Sequence, residues 1–165
     1  MKPDQPSEAL GPLKLRAEDE DDLSVIAACL QDALVRFGDM SYLPRQRLFA
    51  GVFNRFRWEA EGDTAPVRGE RLHQRVRTGV HFHYVQDVRS RGLERQRKDD
   101  VLSLLTIDTE SGNDGAAVIT LAFAGGADIR LGAECIDCQL TDVGPPWETR
   151  RKPEHDVGED FPSGG

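Results

Sequence analysis

Two histidines, His81 and His83, form the sequence feature with the most specific chemistry. Residues i and i+2 of a β-strand point to the same face, so both imidazoles could bind one cation such as Zn²⁺, Cu²⁺ or Ni²⁺. Such a site needs a third ligand, and the sequence offers His73 and His155. The alternative is that both histidines lie on the polar face of an amphipathic strand whose apolar residues point inward.

The segment Cys135-Ile136-Asp137-Cys138 has the C-x-x-C spacing of zinc sites and redox-active dithiols. The chain contains no second C-x-x-C, and the motif lies in a stretch of period-2 alternation rather than between a strand and a helix. In an extended strand, residues three apart face opposite sides, so the sulfurs would diverge. We therefore expect one or both cysteines to pack as small apolar groups, with a redox dithiol as the alternative.

Arginine is concentrated in the middle of the chain. Residues 45–98 hold 13 basic and 6 acidic residues, whereas the formal charge of the whole chain is -8. The negative total argues against binding nucleic acid or anionic lipid over the whole surface. Guanidinium groups suit carboxylates and phosphates, so we predict an arginine-rich surface for an anionic partner. The residues assigned to it are Arg45, Arg47, Arg55, Arg57, Arg75 and Arg77.

Three kinds of partner remain open for that surface: an acidic protein segment, RNA, or a phosphorylated small molecule. The run Arg55-Phe56-Arg57-Trp58 interleaves guanidinium and aromatic groups as RNA-binding surfaces do. The alternative is a set of solvated loops whose charge is balanced by the acidic ends of the chain.

No motif for a nucleophile or a nucleotide-binding loop occurs in the chain, so we predict no catalytic residue and no cofactor. Residues 1–12 lack the apolar segment of a secretory signal, and the longest apolar stretch, residues 116–124, is far shorter than a membrane span. We therefore expect a cytoplasmic protein that does not enter the membrane. The oligomeric state stays open.

The elements that position these residues follow from hydrophobic periodicity. Leu23, Ile26, Leu30 and Leu34 fall on one helical face, which predicts an amphipathic N-terminal helix that ends before Gly38. The acidic run at residues 18–22 is typical of a helix start. About six strands follow with period-2 alternation and short connections, among them residues 48–54, 76–85, 101–109 and 117–123.

This order predicts an α+β domain with a mostly antiparallel sheet that forms a roll, a sandwich or an open barrel. A pleckstrin-homology-like barrel has a similar strand count, although its helix normally comes last. The ordered domain is expected at residues 13–147, between disordered segments at residues 1–12 and 148–165.

Three segments give the chain a resemblance to a known family: LQDALVRFGDMSYLPRQRLFAGVFNRFRWE, GVHFHYVQDVRSRGL and ITLAFAGGADIRLGAECIDCQLTDVGPPW. Over about residues 13–155 the chain resembles an uncharacterised bacterial family, domain of unknown function 2948. The resemblance implies a single compact domain from a bacterial cytoplasm and assigns no activity or site residue.

The leading hypothesis is a small, non-catalytic binding or adaptor domain with an arginine-rich surface for an anionic partner. One alternative is a metal-dependent or small-molecule enzyme centred on His81 and His83, with His73 as third ligand. The other is an RNA-binding protein that uses the arginine-rich middle.

Overall fold

The computed structural model describes residues 11–63 and 73–149. Within them lie one α-helix, ten strands and two short 3₁₀ segments. The helix is α1 (Glu20–Cys29), and the 3₁₀ segments are Trp58–Asp63 and Asn113–Gly115. The strands are β1 (Lys14–Ala17), β2 (Leu34–Leu43), β3 (Leu48–Phe56), β4 (His73–Phe82), β5 (Val85–Arg91), β6 (Val101–Ser111), β7 (Ala117–Phe123), β8 (Asp128–Ala133), β9 (Cys138–Asp142) and β10 (Trp147–Thr149).

The strands form one antiparallel sheet in the order β1-β9-β4-β3-β2-β6-β7-β8-β5, with β10 paired to β4 outside this path. The long strand β2 pairs with β3 on one side and with β6 on the other. It therefore joins two halves of the sheet. We call β1, β9, β4 and β3 the first wing, and β6, β7, β8 and β5 the second wing.

Both wings contribute to one hydrophobic core. Val80 and Phe82 from the first wing belong to the same buried cluster as Leu121 and Phe123 from the second. Helix α1 packs against β1 and β6 and adds Leu23 and Ile26 to that cluster. Burying an aliphatic or aromatic side chain contributes about 1.5–3 kcal/mol, so the shared core holds the two wings together.

The helix begins as the sequence predicts and ends earlier. The side chain of Asp19 accepts a hydrogen bond of 2.8 Å from the backbone N–H of Asp22, so the acidic run caps α1. The prediction that the helix continues to Leu34 is wrong. The N–H of Asp32 donates to the carbonyl of Leu104 and thereby recruits this segment to the sheet, and Leu34 begins β2. Sheet pairing outweighs the helical spacing of the apolar residues.

The expected fold class, α+β with a mostly antiparallel sheet, is confirmed, and β3, β6 and β7 include three of the predicted strands. The strand predicted at residues 76–85 is too long, because β4 ends at Phe82, Tyr84 has a positive φ of 62° and Val85 begins β5. The count of about six strands is wrong, because β1, β5 and β10 add pairings that the apolar pattern does not reveal. Gly38 lies inside β2 and does not end a helix. The segments predicted to be disordered lie mostly outside the described residues. Among the described residues, no helix is long and apolar enough to cross a membrane.

Candidate binding face

Alternate positions on the first wing point away from the core and form one continuous face. In one row across β1, β9 and β4, Lys14 lies beside Thr141, which lies beside Gly79. In the next row, Arg16 lies beside Gln139, which lies beside His81. The inward neighbours, such as Leu140 and Val80, are buried. Because side chains alternate across a strand, the outward set comes from all four strands. We call this surface the basic face, after Lys14, Arg16, Arg77 and His81.

The basic face differs in charge from the rest of the molecule. On the accessible outward positions of β1, β9, β4 and β3, every ionisable residue is basic: Lys14, Arg16, Arg77 and His81. His73 and Arg75 have the same orientation on β4 but are buried. The outward positions of the second wing mix both signs: Arg89, Arg91, Arg130, Asp87, Asp108, Glu110 and Asp128. Positive potential is therefore concentrated on one face of a chain with a net charge of -8.

The centre of the basic face is flat and uncharged. Gly79 lies in the middle strand with Val52 and Thr141 beside it, and Val52 is 39% exposed. A Cβ on Gly79 would meet Cε1 of His81 at 3.8 Å and the carbonyl of Thr141 at 3.9 Å, so a small side chain would fit there without a clash. Within the described residues Lys14 and Arg77 have no acidic partner, whereas Arg16 pairs with Asp137 at 3.0 Å.

A buried ion network holds β1 in place beneath this face. The Arg55 side chain is fully buried, and its Nε and Nη2 donate to Oδ1 and Oδ2 of Asp142 at 2.9 and 2.8 Å. Glu59 accepts from Nη1 and Nη2 of the same guanidinium at 3.0 and 2.6 Å. Asp142 also accepts from the Thr78 hydroxyl and from the backbone N–H of Leu13, both at 2.8 Å. The last bond fixes the residue that precedes β1.

The network keeps its charges at neutral pH. Burial alone would raise the pKa of Asp142, but the hydrogen bonds from Arg55, Leu13 and Thr78 lower it below its usual value. Glu59 behaves alike: burial opposes its ionisation, and the hydrogen bond and charge of Arg55 lower its pKa. For Arg55, burial disfavours the charged form, and the two carboxylates outweigh it and raise the pKa. A buried pair like this one is costly to break from one side.

The two histidines meet at the corner where β4 ends. The ring centroids of His81 and His83 are 6.2 Å apart, and their planes differ by 22°. Burial and the neighbouring charge of His83 lower the pKa of His81. The Nε2 atom of His83 is buried and has no hydrogen-bond partner within the described part of the chain. The adjacent Tyr84 has a φ of 62°, which places it in the left-handed region.

The proposed third metal ligand is not at this corner. His73 lies eight residues away along β4, a separation of about 26 Å in an extended strand. It is buried beside Phe56, with ring centroids 5.4 Å apart. The assignment of His73 as third ligand is therefore wrong, and His155 lies outside the described residues. In residues 11–63 and 73–149, no group of three or more histidine, cysteine or acidic side chains is arranged to hold a metal ion.

Three of the six arginines assigned to an anion-binding surface are buried, which corrects that prediction. Arg55, Arg57 and Arg75 are 0%, 6% and 1% exposed. Arg55 points to the core side of the sheet. Nε of Arg57 lies 3.7 Å from Oε2 of Glu59. Arg75 donates to the carbonyl of Asn54 at 3.2 Å. These guanidinium groups are engaged within the fold and are not part of an accessible surface.

The other three arginines lie in different places. Arg45 is exposed in the turn between β2 and β3, and Arg47 in the same turn pairs with Glu134. Arg77 belongs to the basic face. Lys14 and Arg16 were missed because they lie outside the arginine-rich middle. They alternate with the apolar Leu15 and Ala17, a short pattern that indicates a strand with one basic side.

The cysteines do not form a dithiol pair in this structure. All three are free; Cys138 is buried in the core, and Cys135 lies half-buried in the loop before β9. Burial strongly raises the pKa of the Cys138 thiol and also raises that of Cys135. The expectation that a cysteine of this motif packs as an apolar group is confirmed for Cys138.

The chain matches the model of one known protein family. A family model described as "Protein of unknown function (DUF2948)" matches residues 13–155. The chain belongs to this family. Neither the curated proteins nor the solved structures contain a match. The match to DUF2948 covers β1 through β10 and therefore includes the whole basic face.

Proposed function

We propose that this DUF2948 protein is a small, roll-shaped, non-catalytic binding domain of the bacterial cytoplasm that holds an anionic partner on its basic face. One observation carries the proposal: the outward positions of the first wing bear basic residues and no acidic ones, in a chain that is acidic overall. An unbalanced face of this kind attracts negatively charged partners and repels positively charged ones.

The chemistry of the face favours an acidic protein segment over RNA. Single-stranded RNA is held mainly by stacking of bases on exposed aromatic side chains. The accessible outward positions carry small or polar residues instead, such as Ala50, Val52, Gly79 and Thr141. A flat sheet of small side chains flanked by cations fits an extended acidic chain.

The enzyme alternative receives less support. His81 and His83 are close enough to share a ligand, and the buried Nε2 of His83 is compatible with one. Catalytic zinc sites use three protein ligands, and the described residues supply two. We therefore base the function on the charged face.

The test is the binding of a fluorescent acidic peptide, followed by anisotropy at several salt concentrations. Lys14→Gln combined with Arg77→Gln removes two cations from the basic face. Exposed ion pairs contribute about 0.2–1 kcal/mol each, so affinity should fall roughly 2- to 30-fold for the double variant. The matched control is Arg130→Gln, an exposed arginine on the second wing. Equal losses in both variants, or binding that does not weaken with salt, would refute the proposal.

A further inference from the structure

Strand β1 leaves one edge of the sheet open. It lies at the end of the strand order and, among the described residues, pairs only with β9. The N–H of Asp142 donates to the carbonyl of Leu13 at 3.0 Å, which identifies Leu13 as a hydrogen-bonded position of this ladder. Because such positions alternate in an antiparallel pair, Leu15 and Ala17 also point their backbone groups at β9. The N–H and C=O groups of the residues between them point to the open edge.

Those intervening residues are Lys14 and Arg16, the two members of the basic face that belong to β1. Outside the strand ladder, their backbone groups make no hydrogen bond within residues 11–63 and 73–149. Their side chains are exposed, that of Arg16 by 55%. The same two residues thus offer hydrogen bonds for an incoming strand and cations beside it.

The open edge is short and bounded. Pro12, the next outward position before Lys14, has no N–H to donate. Glu18, which follows the end of β1, carries a negative charge, and its Oε2 lies 3.3 Å from Nη2 of Arg16. A strand added here would therefore be fixed chiefly by Lys14 and Arg16. The other edge strand, β5, has outward side chains of both signs, such as Asp87 and Arg89, and does not select for acid.

We propose that β1 is a strand-addition site for an extended acidic segment of a partner protein, in which acidic residues occupy every second position. In an added strand, alternate side chains project onto the basic face, where they meet Lys14 and Arg16. The remaining side chains face the opposite side of the sheet and need no charge. This inference rests on the proposed function and specifies how the anionic partner is held.

Two peptides of the same composition test the proposal. One alternates Glu and Thr over eight residues, and the other repeats Glu-Glu-Thr-Thr twice; both have blocked ends. In the alternating peptide, Glu residues on one face lie two positions apart, as Lys14 and Arg16 do, whereas no two Glu residues of the other peptide have that spacing. We expect the alternating peptide to bind about 1.5- to 5-fold more tightly, the ratio that corresponds to one additional exposed ion pair.

A pair of variants at one residue separates backbone pairing from charge. Lys14→Gln removes the cation and keeps the N–H, whereas Lys14→Pro removes both. Proline is tolerated at an edge position whose N–H faces solvent, and thermal melting verifies that both variants fold. We expect Lys14→Pro to bind the alternating peptide several-fold more weakly than Lys14→Gln.

A second measurement applies if Lys14→Pro does not fold. The alternating peptide is N-methylated either at its odd or at its even positions, and only one of the two sets should abolish binding, because amides on one side of a strand face β1. Equal affinity of the two peptide patterns, together with equal effects of the two methylation sets, would overturn strand addition. Salt-sensitive binding in that case would still support the proposed function. No binding of either peptide to the wild-type protein would overturn both.

Discussion

Replacing Asp142 by Asn should destabilise the protein more than any exposed acid-to-amide change. Asp142 accepts two hydrogen bonds from Arg55, one from Thr78 and one from the backbone of Leu13. An Asn side chain has one oxygen, so its NH₂ group would face a donor that Asp142 now satisfies. The substitution also leaves the buried Arg55 with a single carboxylate partner, Glu59.

The size of the effect follows from that geometry. Removing one partner of a buried ion pair costs about 3–5 kcal/mol. Because Glu59 still pairs with Arg55, we expect the lower end, about 3 kcal/mol of unfolding free energy. For a protein of this size that loss corresponds to about 6–12 °C in Tm, at 2–4 °C per kcal/mol. The control Asp39→Asn lies at an exposed position with no partner among the described residues and should change stability by less than about 0.5 kcal/mol.

Urea unfolding at several pH values gives the measurement. A carboxylate whose pKa is lowered in the folded state stabilises the protein above its unfolded pKa, and this stabilisation disappears as the pH falls through the folded pKa. Wild-type stability should therefore decrease below the ordinary values of 3.8 for Asp142 and 4.5 for Glu59. Asp142→Asn should make stability less dependent on pH in this range, because the variant lacks the titrating carboxyl group. It should also speed hydrogen exchange of the Leu13 amide, which loses its carboxylate acceptor. A loss below about 1 kcal/mol at neutral pH would refute the role of this network.

Three further predictions concern other residues. Binding of the acidic peptide, measured by anisotropy, should strengthen as the pH falls below 6.5, because burial and the charge of His83 lower the pKa of His81 below that ordinary value and the imidazole gains its charge only in acid; His81→Gln should remove this gain. In the native protein Cys135 should react with a thiol reagent faster than the buried Cys138, and equal rates would contradict the packing. Gly92→Ala should destabilise the fold in urea more than Gly125→Ala, because both have positive φ but only at Gly92 would a Cβ crowd neighbouring backbone, at 3.2 Å; equal losses would contradict this.

The sequence predicts those strands that alternate strongly and connect through short turns. In β4 the residues Val76, Val80 and Phe82 alternate with polar neighbours, and β7 is a short apolar run that follows the turn residues 111–115, so both can be identified from the chain alone. Strand β5 could not be found this way. It lies at the sheet edge with most of its side chains exposed, so no apolar alternation marks it.

The end of α1 shows the limit of helical periodicity. Ala33 and Leu34 continue the apolar face of the helix in sequence, yet both pair with or adjoin β6 in the structure. Apolar residues at helical spacing can be buried equally well in a strand that faces the same core. The choice depends on the pairing of Asp32 with Leu104, which is separated by many residues and is invisible to a local pattern.

The sequence located the candidate site only in part, because long-range strand pairing also determines which residues lie side by side. Period-2 alternation shows which residues of one strand share a side, and it placed His81 and Arg77 on the polar side of β4. It does not show that β1 lies two strands away, because the register of Lys14 with Thr141 and of Thr141 with Gly79 is a tertiary property. A surface composed of several strands therefore needs the sheet order as well as the sequence.

Charge that is concentrated along the chain need not be concentrated in space. The arginines of residues 45–98 separate into buried groups such as Arg55, ion-paired groups such as Arg47 and groups on two different sheet faces. The basic face arises from a different rule: on the first wing, no acidic residue occupies an outward position. Lys14 and Arg16 are alternate residues of β1 and therefore lie about 6.6 Å apart along the edge of this face. An extended strand presents its own alternate side chains at the same spacing, which is why an acidic strand matches this face better than a compact anion does.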